Sequence, residues 1–226
     1  MEKDSTEIAN GLGKMGEKAF EFVEKIIANP IMEVTGVVTD KVKYWRFKNQ
    51  VDTIIKAKEF LETKGIKIPN KIPIKDLTTL LEYSSLEDEP VMQDKWAKLL
   101  SNALDPNNAF EATTVFSHIL NQISIEEIKI LEYIFYRSFI VSDTDRPYLE
   151  KSSIRNMLDI KYSIYDLLID NLSRLRLVEE KMPELKNASR QVYLYNGDET
   201  PDDIELVASN KIRISKFGTE LMRKIL

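Results

Sequence analysis

Hydrophobic positions recur every three or four residues along most of the chain, the spacing of one face of an α-helix. The stretch from Leu80 to Pro106 carries the pattern most fully. Met92, Trp96, Leu99 and Ala103 fall on one side, and Leu100 and Leu104 widen the stripe. Asp88, Glu89 and Pro90 suit a helix N-terminus. Asp105, standing before Pro106, is pushed out of the helical region and marks the stop. Upstream, Ser5 to Asn29 reads as helix, with Ala19, Phe22, Val23, Ile26 and Ile27 on one stripe. Pro30 opens a longer helical segment to about Lys64, and Gly65 suits its C-cap. A proline-punctuated link, Lys67 to Leu77, leads into a helix from Ile74 to Tyr83. Asn107 or Asn108 is placed to cap another, with Phe116, Ile119, Leu120 and Ile123 inward.

The pattern changes near residue 123. Ser124-Ile125-Glu126-Glu127 reads as a capping box opening a helix to about Tyr136. Ser152 or Ser153 is placed to cap a short helix. Ser163 is placed to cap a third, with Ile164, Leu168, Leu172 and Leu175 on one face. Extended segments follow at Leu177 to Met182, Gln191 to Tyr195 and Lys211 to Ser215. An acidic loop, NGDETPDD, lies between the last two, and a last helix carries Phe217, Leu221 and Ile225. These elements predict a mainly α protein: an all-helical domain over residues 1–122, then a winged-helix-like domain over 123–226 with a small antiparallel sheet. The closing segment KIRISKFGTELMRKIL resembles the wing strand and final helix of winged-helix regulators, with Ser215 and Gly218 at the usual Thr and Gly positions. The tail helix shows apolar residues on more than one side, including Met222 and Leu226. That surplus needs cover, and it predicts a homodimer through this helix.

Charge bears on what this protein can bind. The formal net charge is −5. Sixteen Lys and Arg face nineteen Asp and Glu up to residue 122, and sixteen face eighteen beyond it, so neither half is a basic domain. Nucleic acid is therefore disfavoured, although a local basic face stays open. In the candidate reading helix of the winged-helix part, Asp166 and Asp170 point outward, where they would meet phosphate. A protein partner or a second copy is the expected partner. Tyr44, Trp45 and Phe47 stand among Lys41, Lys43, Arg46 and Lys48. They can stack on bases, or pack a core with the lysines solvated around it; the core reading is favoured.

Enzyme signatures are missing. Cysteine is absent, which removes thiolate chemistry and cysteine-bound zinc. There is no H-E-x-x-H, G-x-S-x-G or phosphate-loop motif, and GLGKMG lacks both the Lys-Ser/Thr ending and a preceding strand. His118 is the only histidine and has no arginine four to six residues before it, so the Arg-x4–6-His site of phage-defence ribonucleases is not present. No catalytic residue, metal ligand or cofactor is therefore expected. The N-terminus is polar and acidic, and the most apolar long window, Ala19 to Val38, contains four acidic or basic residues. A cytoplasmic protein without a membrane span is expected.

Three segments carry a family resemblance: KVKYWRFKNQ (Lys41 to Gln50), LLEYSSLEDEPVMQDKWAKLLSNALDP (Leu80 to Pro106) and ILNQISIEEIKILEYI (Ile119 to Ile134). In order and spacing, including the pair Trp45 and Trp96, they resemble the abortive infection alpha family of bacteria and phages. Ser101 and Ile123 depart mildly from its pattern. The resemblance implies a role in phage defence and brings no catalytic residues with it. Trp45 and Trp96 are expected in one core. Glu82, Ser85 and Glu87 read as turn and cap chemistry. Asn49 and Asn102 need not be polar for packing alone, and a buried amide needs partners. Arg46, Asn49, Gln93 and Asn102 are thus a candidate polar site, with structural hydrogen bonding as the other reading.

Overall fold

A computed structural model describes residues 13–19, 21–23, 25, 41–108, 112–141, 146–187, 204–207 and 209–226. The protein is mainly α, with a small antiparallel sheet in its C-terminal part. The helical residues 13–19, 21–23 and 25 form α1. Then follow α2 (Lys41–Thr63), α3 (Ile74–Ser84), α4 (Pro90–Leu104), α5 (Thr113–Leu120) and α6 (Ile125–Val141). The remainder is β1 (Leu149–Glu150), α7 (Lys151–Met157), α8 (Tyr162–Arg174), β2 (Val178–Glu180), β3 (Glu184–Asn187), β4 (Ile204–Val207), β5 (Lys211–Ile214) and α9 (Lys216–Ile225). Two compact units are present. One takes in the described residues up to Ile125 together with Glu220–Leu226; the other is Glu126–Thr219.

In the first unit α2 packs chiefly on α4, and α3 on α5. The inward residues of α2 are Val51, Ile54, Ala57 and Leu61, with Asn49 and Thr53 beside them. Its end is closed by Gly65 at φ 73°, where the Gly65 N–H donates to Glu62 O and the Ile66 N–H to Leu61 O, both at 2.9 Å. A left-handed residue at this place is what such a paired cap needs, and glycine takes it without a Cβ clash. Helix α4 begins with Pro90 in its first turn and buries Met92, Trp96, Leu99, Leu100, Ala103 and Leu104, the stripe legible in the sequence. Trp96 is 1% exposed, whereas Trp45 is 37% exposed. The expectation of both indoles in one core is corrected for Trp45. Nine residues separate Trp45 from Ile54, and at about 100° per residue the two lie on opposite sides of α2.

In the second unit, β5 lies between β1 and β2, antiparallel to both, with Leu149 opposite Ile212 and Val178 opposite Ile214. Strands β3 and β4 form a separate antiparallel pair, Glu184 opposite Val207. The strand expected at Gln191 to Tyr195 and the loop NGDETPDD lie outside the described residues. Helix starts differ from expectation by two or three residues at α7 and α8 and by four or five at α5. Glu150 and Lys161, not a serine, hold the N-cap positions of α7 and α8, and Ala112 holds that of α5. None of the three makes a side-chain cap bond, so packing and not capping sets these starts. The buried side of α8 is Tyr165, Ile169 and Leu172, while Ile164 is exposed.

The entry to α9 is closely built. Ser215 Oγ accepts the Gly218 N–H at 2.8 Å and donates to Arg176 O at 2.6 Å. This is the N-cap geometry of serine, with the hydroxyl also tied to the chain after α8. A Cβ on Gly218 would stand 2.2 Å from Leu177 O, so only glycine lets the helix approach. Leu221, Met222 and Ile225 are fully buried. Of the apolar surplus on α9, these three are covered within the chain, while Phe217 and Leu226 are half-buried.

Candidate functional site

The turn between α3 and α4 is held by side chains from two helices. Asn49 Nδ2 donates to Ser85 O at 3.2 Å and to Glu87 O at 2.7 Å. Gln93 Nε2 donates to the same Glu87 O at 3.0 Å, filling both lone pairs of that carbonyl. Gln50 Nε2 reaches Leu81 O at 3.3 Å. Arg46 donates through Nε to Ser85 Oγ at 3.0 Å and pairs with Glu82 at 2.5 Å. Asn49 can do this because it is buried on α2 while its amide points at a turn that leaves carbonyls outside the helical ladder. Arg46, Asn49 and Gln93 are therefore brought together, and their common target is backbone. Gln50 also belongs to the group; its place one residue from Asn49 was the available signal. Glu82 and Ser85, read from the sequence as turn chemistry, accept from Arg46.

Asn102 is elsewhere. It lies nine residues beyond Gln93 on α4, about 13 Å along the helix axis. Its Nδ2 donates to Lys224 O at 2.8 Å, near the end of α9, and its Oδ1 accepts Lys64 Nζ at 2.9 Å. Lys64 also reaches Asp105 at 3.2 Å, and Lys224 Nζ donates to Asn108 Oδ1. Burial alone raises the Asp105 pKa. The Asn107 N–H and the Lys64 ammonium outweigh it and hold this carboxyl below its usual value. Burial lowers the Lys224 pKa, and the charges of Lys64 and Arg223 add to that against the opposite pull of Glu220. Asn102 in this second cluster satisfies one carbonyl, Lys224 O, at a helix end that no intrahelical N–H can reach.

Asn49, Gln50, Gln93 and Asn102 donate their amide N–H groups to backbone carbonyls, while Lys64 and Lys224 are engaged by Asn102, Asp105 and Asn108. His118 is exposed, with Nδ1 against Tyr83 Oη at 2.8 Å. Among the described residues no three His, Cys, Asp or Glu side chains converge as metal ligands. None of the described helices is long and apolar enough to cross a membrane. On α8, Asp166 and Asp170 are exposed, as the sequence pattern predicted.

The model of the family described as abortive infection alpha matches residues 46–225. The chain belongs to this family. The match includes the whole Arg46–Asn49–Gln93 latch, the Asn102 cluster and all of α9. Membership connects the protein with abortive infection and carries no mechanism. No curated protein matches the chain, and no solved structure matches it.

Proposed function

We propose that this abortive infection alpha protein serves phage defence in the cytoplasm as a non-enzymatic interaction protein. The observation that carries the reading is the use made of the family's polar residues. Arg46, Asn49 and Gln93 spend their hydrogen bonds on shaping the α3–α4 turn, and Asn102 spends its own on the end of α9. A chain that invests buried amides in holding a surface turn is suited to presenting that surface. The net charge of −5 favours a protein partner over nucleic acid. The test is phage plating on host cells with and without the gene, beside assays of the purified chain for nuclease and nucleotide hydrolysis. Protection without hydrolysis supports the reading; a specific hydrolytic activity overturns it.

A second reading, a winged-helix DNA-binding regulator, draws on the order of the elements after α6. Strand β1 leads into α7 and α8, then β2, the β3–β4 pair, β5 and α9, with β5 between β1 and β2, as in a winged-helix domain beginning near residue 123. Against it stand Asp166 and Asp170 on the exposed side of α8. A gel shift of the upstream DNA that weakens steeply with salt selects the regulator. No shift at low salt selects the interaction protein.

A further inference from the structure

Beside the latched carbonyls, the same turn carries side chains that face solvent. Leu86 is 53% exposed and Val91 48% exposed, and both flank Asp88, Glu89 and Pro90, all exposed. From Glu82 to Asp94 the chain has five acidic residues and no Lys or Arg. Glu82 is neutralised by Arg46 and Asp94 by Lys56 at 2.6 Å. The middle acids, Glu87, Asp88 and Glu89, have no basic residue between them and either end of the stretch. Two aliphatic side chains turned to water, set beside acids that make no ion pair among the described residues, are a surface in want of a cover with both properties.

We propose that the outward face of the α3–α4 turn docks a segment of a partner protein in which Lys or Arg flank an apolar anchor. The proposal rests on the interaction reading above and names its surface. Charge decides the class of occupant. Phosphate backbones and anionic lipid surfaces are repelled by these carboxylates, and a second copy of a chain at −5 brings a like charge. A basic segment is attracted, and Leu86 and Val91 supply the apolar contact that charge alone does not. The latch makes the docking favourable. Asn49, Gln93 and Arg46 already hold the turn, so little conformational freedom remains to be lost on binding.

The experiment uses the intact chain and a synthetic helical peptide of Lys and Leu, labelled for fluorescence anisotropy, with a Glu–Leu peptide and polylysine as controls. The expected result is binding of the Lys–Leu peptide, weaker binding of polylysine and none of the Glu–Leu peptide. Leu86→Asn and the pair Asp88→Asn with Glu89→Gln should each weaken the Lys–Leu peptide by about tenfold or more, Leu86→Asn with an unchanged urea midpoint and the pair with only the small loss that removing acids from the N-terminus of α4 brings. Binding that ignores Leu86→Asn reduces the surface to bulk charge and overturns the proposal, as does no binding. A dimer in light scattering that these variants dissolve assigns the face to a second copy, and calcium binding lost in them assigns it to a cation; either outcome overturns it too. Phage plating separates this claim from the broader one. Protection by the wild type and by all variants removes the surface and leaves the interaction reading. Absence of protection by the wild type removes that reading, and the peptide arm still decides the surface.

Discussion

Two tryptophans with the same standing in the sequence differ by their angle on a helix. Trp96 sits in the α4 stripe at 1% exposure, and its indole N–H has no acceptor among the described residues. Trp45 lies opposite the inward face of α2. Trp96→Ala should cost about 3–5 kcal/mol of unfolding free energy, the range for emptying a core aromatic site. Trp45→Ala should cost about 1–2 kcal/mol, because much of that ring is already in water. Urea titration of both variants measures the contrast, and equal losses would contradict it. Asn49 is the polar counterpart. Asn49→Leu keeps the volume and removes the donors to Ser85 O and Glu87 O. Leaving buried carbonyls short of partners should cost about 2–3 kcal/mol, read from the same titration. It should also loosen the turn, seen as faster amide exchange at Glu87 and Asp88.

At the scale of elements, the helix ends show which signals a sequence carries openly. Gly65 closes α2 at positive φ, as glycine commonly does. Helix α8 ends with the same pair of bonds, Arg176 N–H to Ser173 O and Leu177 N–H to Leu172 O, but with Arg176 at φ 57°. An arginine at that angle carries a Cβ penalty that glycine lacks. Arg176→Gly is therefore expected to raise stability by about 0.5–1 kcal/mol, although it places a glycine in the chain. A higher melting temperature of the variant checks this, and a fall would mean that the arginine side chain contributes more than its strain costs. The serines offered as caps for α7 and α8 show the reverse case. Ser152, Ser153 and Ser163 lie inside helices whose starts are set by neighbouring packing.

For the whole molecule, the end of α9 is the element that sequence order conceals. Glu220–Leu226 packs with the first unit, where Leu221, Met222 and Ile225 are fully buried. A chain ending at Thr219 loses all three, at about 1.5–3 kcal/mol each, a sum comparable to the stability of an ordinary domain. Circular dichroism of the truncated chain should show loss of cooperative unfolding in the first unit; a full-length melting profile would refute this. Acid should act on the same unit through Asp105. Its folded pKa lies below its unfolded value of about 3.9. Its contribution is therefore fully present above that unfolded value and is lost as pH falls through the folded one. Asp105→Asn should lower stability near neutral pH and flatten the decline toward pH 3, measured as urea midpoints across that range.

Periodicity settled the mainly α class, the α4 stripe, and the start and stop of that helix, because these depend on neighbours within a turn or two. The family resemblance singled out Asn49 and Asn102, polar where packing alone needed no polarity. Their partners were beyond its reach. Asn49 meets a turn 36 and 38 residues away, and Asn102 meets a carbonyl 122 residues away. The four residues of the candidate site separate into two clusters because Gln93 and Asn102 stand near opposite ends of one helix. The exposure of Trp45 and the burial of the α9 tail were decided in the same way. A local pattern states that a face is apolar or an amide unsatisfied, and only the tertiary fold, which brings distant segments together, determines what covers the one and bonds the other.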